Sequence, residues 1–212
     1  MQFLWKGIHN AHKAGAYWVH IPECGDHAIC AVCETLESLK HILIHCDCPR
    51  HELIWGAAKA LWLEKESHWP EVSLGSILGC GLAEFRDDGG KAKHGTQRLY
   101  QILMSESAYL IWRIRNDRVI GWNGVPTSDD EIINKWKFVV NQRLQMDKLL
   151  ANRPCRGKHC MLAPKLVIDT WSNTMDDERS LPDNWLKEPR VLVGSCVSPW
   201  TPTRRRDSQG IG

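Results

Sequence analysis

Along most of the chain apolar residues recur at intervals of three and four, and nowhere do they alternate long enough to anchor a sheet. The strongest pattern predicts a helix from Thr96 to about Ile120. At about 100° per residue, Leu99, Leu103, Leu110 and Ile114 fall within about 60° of one another. Ile102, Tyr109, Ile111 and Trp112 widen that arc until the helix is expected to be buried on most sides, at the centre of the fold. Gly121 to Pro126 breaks the chain. Ser128, with Glu131 three residues on, then has the form of a capping box for a helix to about Ala151, striped by Ile132, Trp136, Val139, Met146 and Leu150.

Shorter helices are expected from Phe3 to about Lys13, Leu39 to Cys46, Arg50 to about Glu66 and Lys165 to about Trp171. Trp18 to Ala31 reads as a loop. From 73 to 95 the glycines Gly75, Gly79, Gly81, Gly89 and Gly90 favour a packed loop and a turn at Asp87 to Gly90. Two charges interrupt the long stripes, Glu106 and Arg143. Antiparallel packing of the two long helices would bring them together as a buried ion pair; the alternative is that Arg143 snorkels to solvent along its stem.

At 212 residues the chain is long enough for a substantial core, and its net charge of +2 excludes a global field directed at nucleic acid or membrane. The 11 Trp outnumber Phe and Tyr together, so the core must be wide and must find partners for indole N–H groups. No apolar run approaches the roughly 20 residues of a membrane span, and no membrane partner is expected. Nine cysteines, an odd count with no leader-like start, point to reduced thiols and an intracellular location, nucleus and cytoplasm not being distinguishable.

Five of those cysteines fall within 25 residues, and Cys30, Cys33, His41 and Cys46 form C-x2-C-x7-H-x4-C. A C-x2-C turn delivers two sulfurs to one point, and a short helix carrying His41 with Cys46 just beyond it can complete a zinc tetrahedron. Cys24, His27, His45 and Cys48 are near enough to substitute. Four protein ligands would close the shell, so the Zn2+ is expected to be structural. Three thiolates around one zinc carry −1, and Asp26, Glu34, Glu37 and Asp47 against Lys40 and Arg50 add −2, a sum of −3 that repels phosphate. Cys155 and Cys160 with His159 could supply half of a second site, with free thiols as the plainer reading. No phosphate-binding loop, dinucleotide turn or H-E-x-x-H helix is present, and no small-molecule substrate is evident.

Cys30-x2-Cys33, Glu37-Ser-Leu-Lys-His41-Ile-Leu and Cys46, followed by Trp55, resemble the zinc-binding region associated with reverse transcriptases of non-LTR (LINE-like) retrotransposons. Ile77-Leu-Gly-Cys-Gly-Leu82, Ser105-Glu-Ser-Ala-Tyr-Leu-Ile-Trp112 and Leu181-Pro-x-x-Trp185 look similar to the C-terminal part of fungal element polyproteins of the reverse transcriptase and ribonuclease H type. The resemblance implies a zinc-dependent accessory region that helps an element-encoded enzyme engage RNA or target DNA, with Cys30, Cys33, His41 and Cys46 as ligands. The polymerase and ribonuclease H motifs are absent from this chain, so no enzymatic activity carries over. The chain is expected to be a terminal remnant of a longer polyprotein, other segments of which are candidate partners.

For RNA or DNA the segmental charge matters. Residues 135–165 carry a net +7 and residues 91–118 a net +4. Lys148, Arg153, Arg156 and Lys158 are the candidate phosphate contacts, while Trp122 and Trp136 could stack bases, although the place of Trp136 in an apolar stripe favours the core for it. The overall expectation is a mainly α fold, a small N-terminal Cys3His zinc-knuckle element packed on a helical domain with a long central helix. It would divide into a zinc-binding region (1–70), a helical domain with a basic middle (71–193) and a disordered tail (194–212). Two functions compete: a non-catalytic retroelement accessory region assisting nucleic-acid binding, and a zinc-stabilised helical protein-interaction domain.

Overall fold

The computed structural model describes residues 2–48, 50–119, 127–153 and 161–194. The protein is mainly α-helical and, among the described residues, has no strand beyond three isolated bridges. Its axis is α5 (His94–Val119), which buries Leu99, Leu103, Leu110 and Ile114 along the expected stripe and also Ile102, Met104 and Ile111. Around it pack α3 (Arg50–Leu63), α6 (Asp129–Asn152) and α7 (Pro164–Trp171). α3 is apolar nearly all round and is enclosed accordingly, with Ala57 and Ala58 offering flat surface to its neighbours. α7 approaches α5 so closely that a Cβ on Gly95 would stand 2.2 Å from the carbonyl oxygen of Asp169.

Tryptophans fill much of this core, and four of the buried indoles have acceptors. Trp55 donates to Leu43 O (2.8 Å), Trp62 to His68 O (2.6 Å), Trp136 to Ser107 Oγ (3.0 Å) and Trp171 to Asp147 Oδ2 (2.9 Å). Trp136 is therefore a core residue with no free face for a base. Trp122 lies outside the described residues.

Several boundaries differ from the sequence expectation. α1 (Gln2–Ile8) stops well before Lys13, because Asn10 turns left-handed at φ 48° and Ala11 and Asn10 donate back to the carbonyls of Lys6 and Gly7. The expected loop from Trp18 to Ala31 overlaps a short α2 (Ala16–Val19) and a turn of 3-10 helix at Gly25–Ala28. Within 73–95 a short α4 (Leu74–Leu78) forms despite the glycines. Ser73 and Ser76 exchange side-chain and backbone hydrogen bonds at its start, a capping box with serine where the usual signal has Glu or Gln.

The buried pair between the two long helices is also not the expected one. Arg98 of α5 grips Asp147 of α6 through both guanidinium nitrogens, at 2.5 and 2.7 Å, and Asp147 is fully buried. Arg143 lies one turn from Asp147 on the same helix, at 3.7 Å, and neither it nor Glu106 forms a salt bridge with the other. The register thus places the acid on α6 and the base on α5, the reverse of the sequence reading.

A single core runs from Phe3 to Val193, joining the metal-bearing start to the helices. The last described segment has little structure of its own. It is held on α6 by a polar row in which Gln145 donates to Val191 O (2.8 Å), Lys148 to Glu188 O (2.6 Å) and Asn152 to Leu186 O (2.8 Å). Asn141 completes the row, its side-chain oxygen accepting from Val193 N at 2.8 Å. Residues 195–212, most of the expected disordered tail, lie outside the described residues.

Candidate metal centre

The C-x2-C turn sits at the tip of a minimal hairpin. Cys30 N donates to Thr35 O (2.9 Å), Glu34 N to Cys30 O (2.8 Å) and Glu37 N to Ala28 O (2.9 Å), with Ile29 bridging to Leu36. Glu34 takes the left-handed conformation that closes the turn. The hairpin rests on Gly15, where a Cβ would fall 1.9 Å from Glu37 O and where φ is +52°.

The other two ligands come from the expected short helix, which is wound more loosely than predicted. His41–His45 forms a π turn, in which Cys46 N donates to His41 O at 2.9 Å. Ser38 Oγ accepts from His41 N at 3.0 Å and fixes the start of this turn. Trp55, donating to Leu43 O from α3, holds it against the core. The five-residue step from His41 to Cys46 is thereby closed by one backbone hydrogen bond, and both side chains face the C-x2-C tip.

The ligand atoms of Cys30, Cys33, His41 and Cys46 all lie within 4.8 Å of one another. Cys30 Sγ is 3.6 Å and Cys33 Sγ 3.8 Å from Cys46 Sγ. A disulfide would bring a sulfur pair to about 2.0 Å, and all three thiols are free. Tetrahedral zinc with Zn–S bonds of about 2.3 Å sets sulfurs about 3.8 Å apart. His41 Nε2 is buried without a hydrogen-bond partner, as a donor atom reserved for a metal would be. The residues therefore fit a metal held by three sulfurs and one nitrogen. His45 and Cys48 fall outside the group, His45 being exposed and Cys48 offering its carbonyl to His51 Nδ1 at 2.9 Å.

The thiols differ in proton affinity. Burial, the largest influence on Cys30, opposes ionisation, but the adjacent His41 ring and the backbone of Val32 and Cys33 outweigh it and bring the thiol down to about 6. Burial, reinforced by the neighbouring Cys30, pushes Cys46 up to about 12. Cys33 is raised as well, although Asp47 N donates to its sulfur at 3.2 Å.

A second layer was not foreseen. Glu37, only 3% exposed, receives Arg115 of α5 through Nε at 2.7 Å and through Nη2. Arg115 Nη2 also donates to His27 O at 3.1 Å. One turn on, Arg118 places Nη2 3.8 Å from Glu37 Oε1 and 4.0 Å from Cys30 Sγ. The local charge of −3 read from the sequence is thus met by two guanidinium groups from the central helix. The family likeness pointed to Glu37; nothing local pointed to its partners.

Of the candidate nucleic-acid contacts, Lys148 and Arg153 lie among the described residues. Lys148 is 6% exposed with its ammonium on Glu188 O, so it serves the interior and offers no charge to a phosphate. Arg153 is exposed. Arg156 and Lys158 lie outside the described residues, as do Cys155, His159 and Cys160. No match to this chain was found among protein-family models, curated proteins or solved structures.

Proposed function

We propose that this chain is a non-catalytic zinc-binding accessory region of a retrotransposon polyprotein that assists the binding of RNA or DNA. The observation that carries the zinc reading is the convergence of Cys30, Cys33, His41 and Cys46 at tetrahedral sulfur spacing with His41 Nε2 unsatisfied. A metal in that position would draw the hairpin and the π turn together and stabilise both. With four protein donors there is no open position for water or substrate, which supports a structural and not a hydrolytic role.

The retroelement and nucleic-acid parts of the reading rest on the likeness of the finger motif and on the basic middle of the chain. X-ray absorption on the zinc-loaded protein tests the site directly. Three sulfurs at about 2.3 Å and one nitrogen at about 2.0 to 2.1 Å are expected; a coordinated water in place of a sulfur would overturn the closed-shell assignment.

A further inference from the structure

A cleft of about 740 Å3 lies between α1 with the loop after it and one face of α5. It is unrelated to the metal ligands and falls in the size range of small-ligand sites. One wall is aromatic. Ring centroids of Phe3 and Tyr109 are 5.7 Å apart, and His12 lies 4.6 Å from Trp112 on the same wall. Tyr109 keeps 44% of its surface exposed.

The charged groups of the cleft sum to a positive surplus. Arg98 and Arg143 both line it and share one carboxylate, Asp147, whose two oxygens Arg98 occupies. Nε of Arg143 is left buried with no hydrogen-bond partner. Lys6 and Lys13 add two exposed ammonium groups. Four cations against Glu106 and Asp147 leave two positive charges in surplus. Glu106, half-buried, is raised from its ordinary value by burial, with Arg143 opposing. Its carboxylate oxygens can accept hydrogen bonds from a ligand.

A purely apolar ligand would leave the surplus charge unmatched, and a simple anion would leave the aromatic wall idle. We infer that this cleft receives a nucleotide unit of a single-stranded nucleic acid, its base against Tyr109 and Trp112 with an edge toward Glu106, and its phosphate on Lys6 and Lys13. Stacking and phosphate neutralisation then act at one place, which gives sequence-tolerant, salt-dependent binding. The inference rests on the nucleic-acid part of the proposed function and names the surface that carries it.

The test titrates the full chain with a fluorescent single-stranded RNA of about ten nucleotides at about 50 and 200 mM salt, and separately with free uridine monophosphate. Variants are Lys6→Glu with Lys13→Glu, and Tyr109→Ala. Lys59→Glu with Lys187→Glu, both exposed and away from the cleft lining, is the control, and near-ultraviolet circular dichroism verifies each fold. Both cleft variants should weaken RNA binding at least about tenfold, and the control should leave it within about twofold. RNA binding that survives in both folded cleft variants overturns the cleft assignment and leaves the nucleic-acid reading standing. Free nucleotide bound in the cleft without RNA binding makes it a nucleotide site and removes the nucleic-acid reading. Absence of both overturns both.

Discussion

Glu37 is the residue on which the metal-bearing hairpin and the central helix meet. Its carboxylate is enclosed with Arg115 and faces Arg118, and both arginines lie far from it in the chain. Glu37→Gln would leave Arg115 charged and buried without a counter-ion, a loss of about 3 to 5 kcal/mol in unfolding free energy. Urea denaturation of the metal-loaded protein measures it; a loss under about 1 kcal/mol would mean that water reaches the pair. Arg118→Ala acts differently, since Arg118 touches a ligand sulfur and not the core, and is expected to weaken metal affinity about 10- to 100-fold. A competition titration against a chromophoric chelator reads that change, and unaltered affinity would remove Arg118 from the site.

Proton bookkeeping at the ligands gives a second prediction. A metal takes thiolates, and with the hairpin folded Cys30 sits at about 6 while Cys33 and Cys46 are raised. Near neutral pH Cys30 is largely ionised already, so the protons released on binding come from Cys33 and Cys46. Affinity should fall as pH is lowered, and more steeply once pH passes below about 6, where Cys30 also holds its proton. Calorimetry in buffers of different ionisation enthalpy detects the release; binding heats independent of buffer would contradict it.

Among the elements, α6 shows how side chains that read as a basic surface become structural. Asn141, Gln145, Lys148 and Asn152 recur every three or four residues along one face and hold the segment from Leu186 to Val193. From the sequence alone Lys148 was one cation in a run of them, because the segment that covers it begins some forty residues later. Lys148→Ala should free that segment while α5 and α6 keep their protection. Hydrogen exchange would then rise selectively over 185–193, and unchanged exchange there would show that the row is dispensable.

The same element-level reasoning explains what was legible beforehand. The four metal ligands and the two long helices could be read because their signals are local: a spacing of cysteines and histidine, and a 3.6-residue stripe. The end of α1 at Asn10, the serine-only cap of α4 and the π turn at His41–His45 each depend on backbone geometry that residue identity specifies weakly. The partners of Glu37 and Asp147 were hidden for another reason. Arg115 and Arg98 are ordinary charges until tertiary packing encloses them, and antiparallel register, not periodicity, decided which acid met which base.

For the whole molecule, the continuous core from Phe3 to Val193 means that the hairpin is not an independent finger. Its own contacts are few: one bridge, a handful of turn hydrogen bonds and the Glu37 pair. The helices, by contrast, bury three hydrogen-bonded tryptophans whose acceptors lie outside the metal-bearing region, Trp62, Trp136 and Trp171. Metal removal should accordingly melt the start of the chain and spare α5, α6 and α7. Structural zinc contributes on the order of 10 to 16 kcal/mol in small fingers, far more than turn hydrogen bonds supply.

Native mass spectrometry of the purified chain, before and after a strong chelator and with hydrogen exchange on both samples, tests that account most directly. One zinc per chain is expected, with its loss exposing residues 15–48 and leaving the central helix protected. A chain that carries no metal under native conditions, and whose exchange pattern is the same with and without chelator, would contradict it.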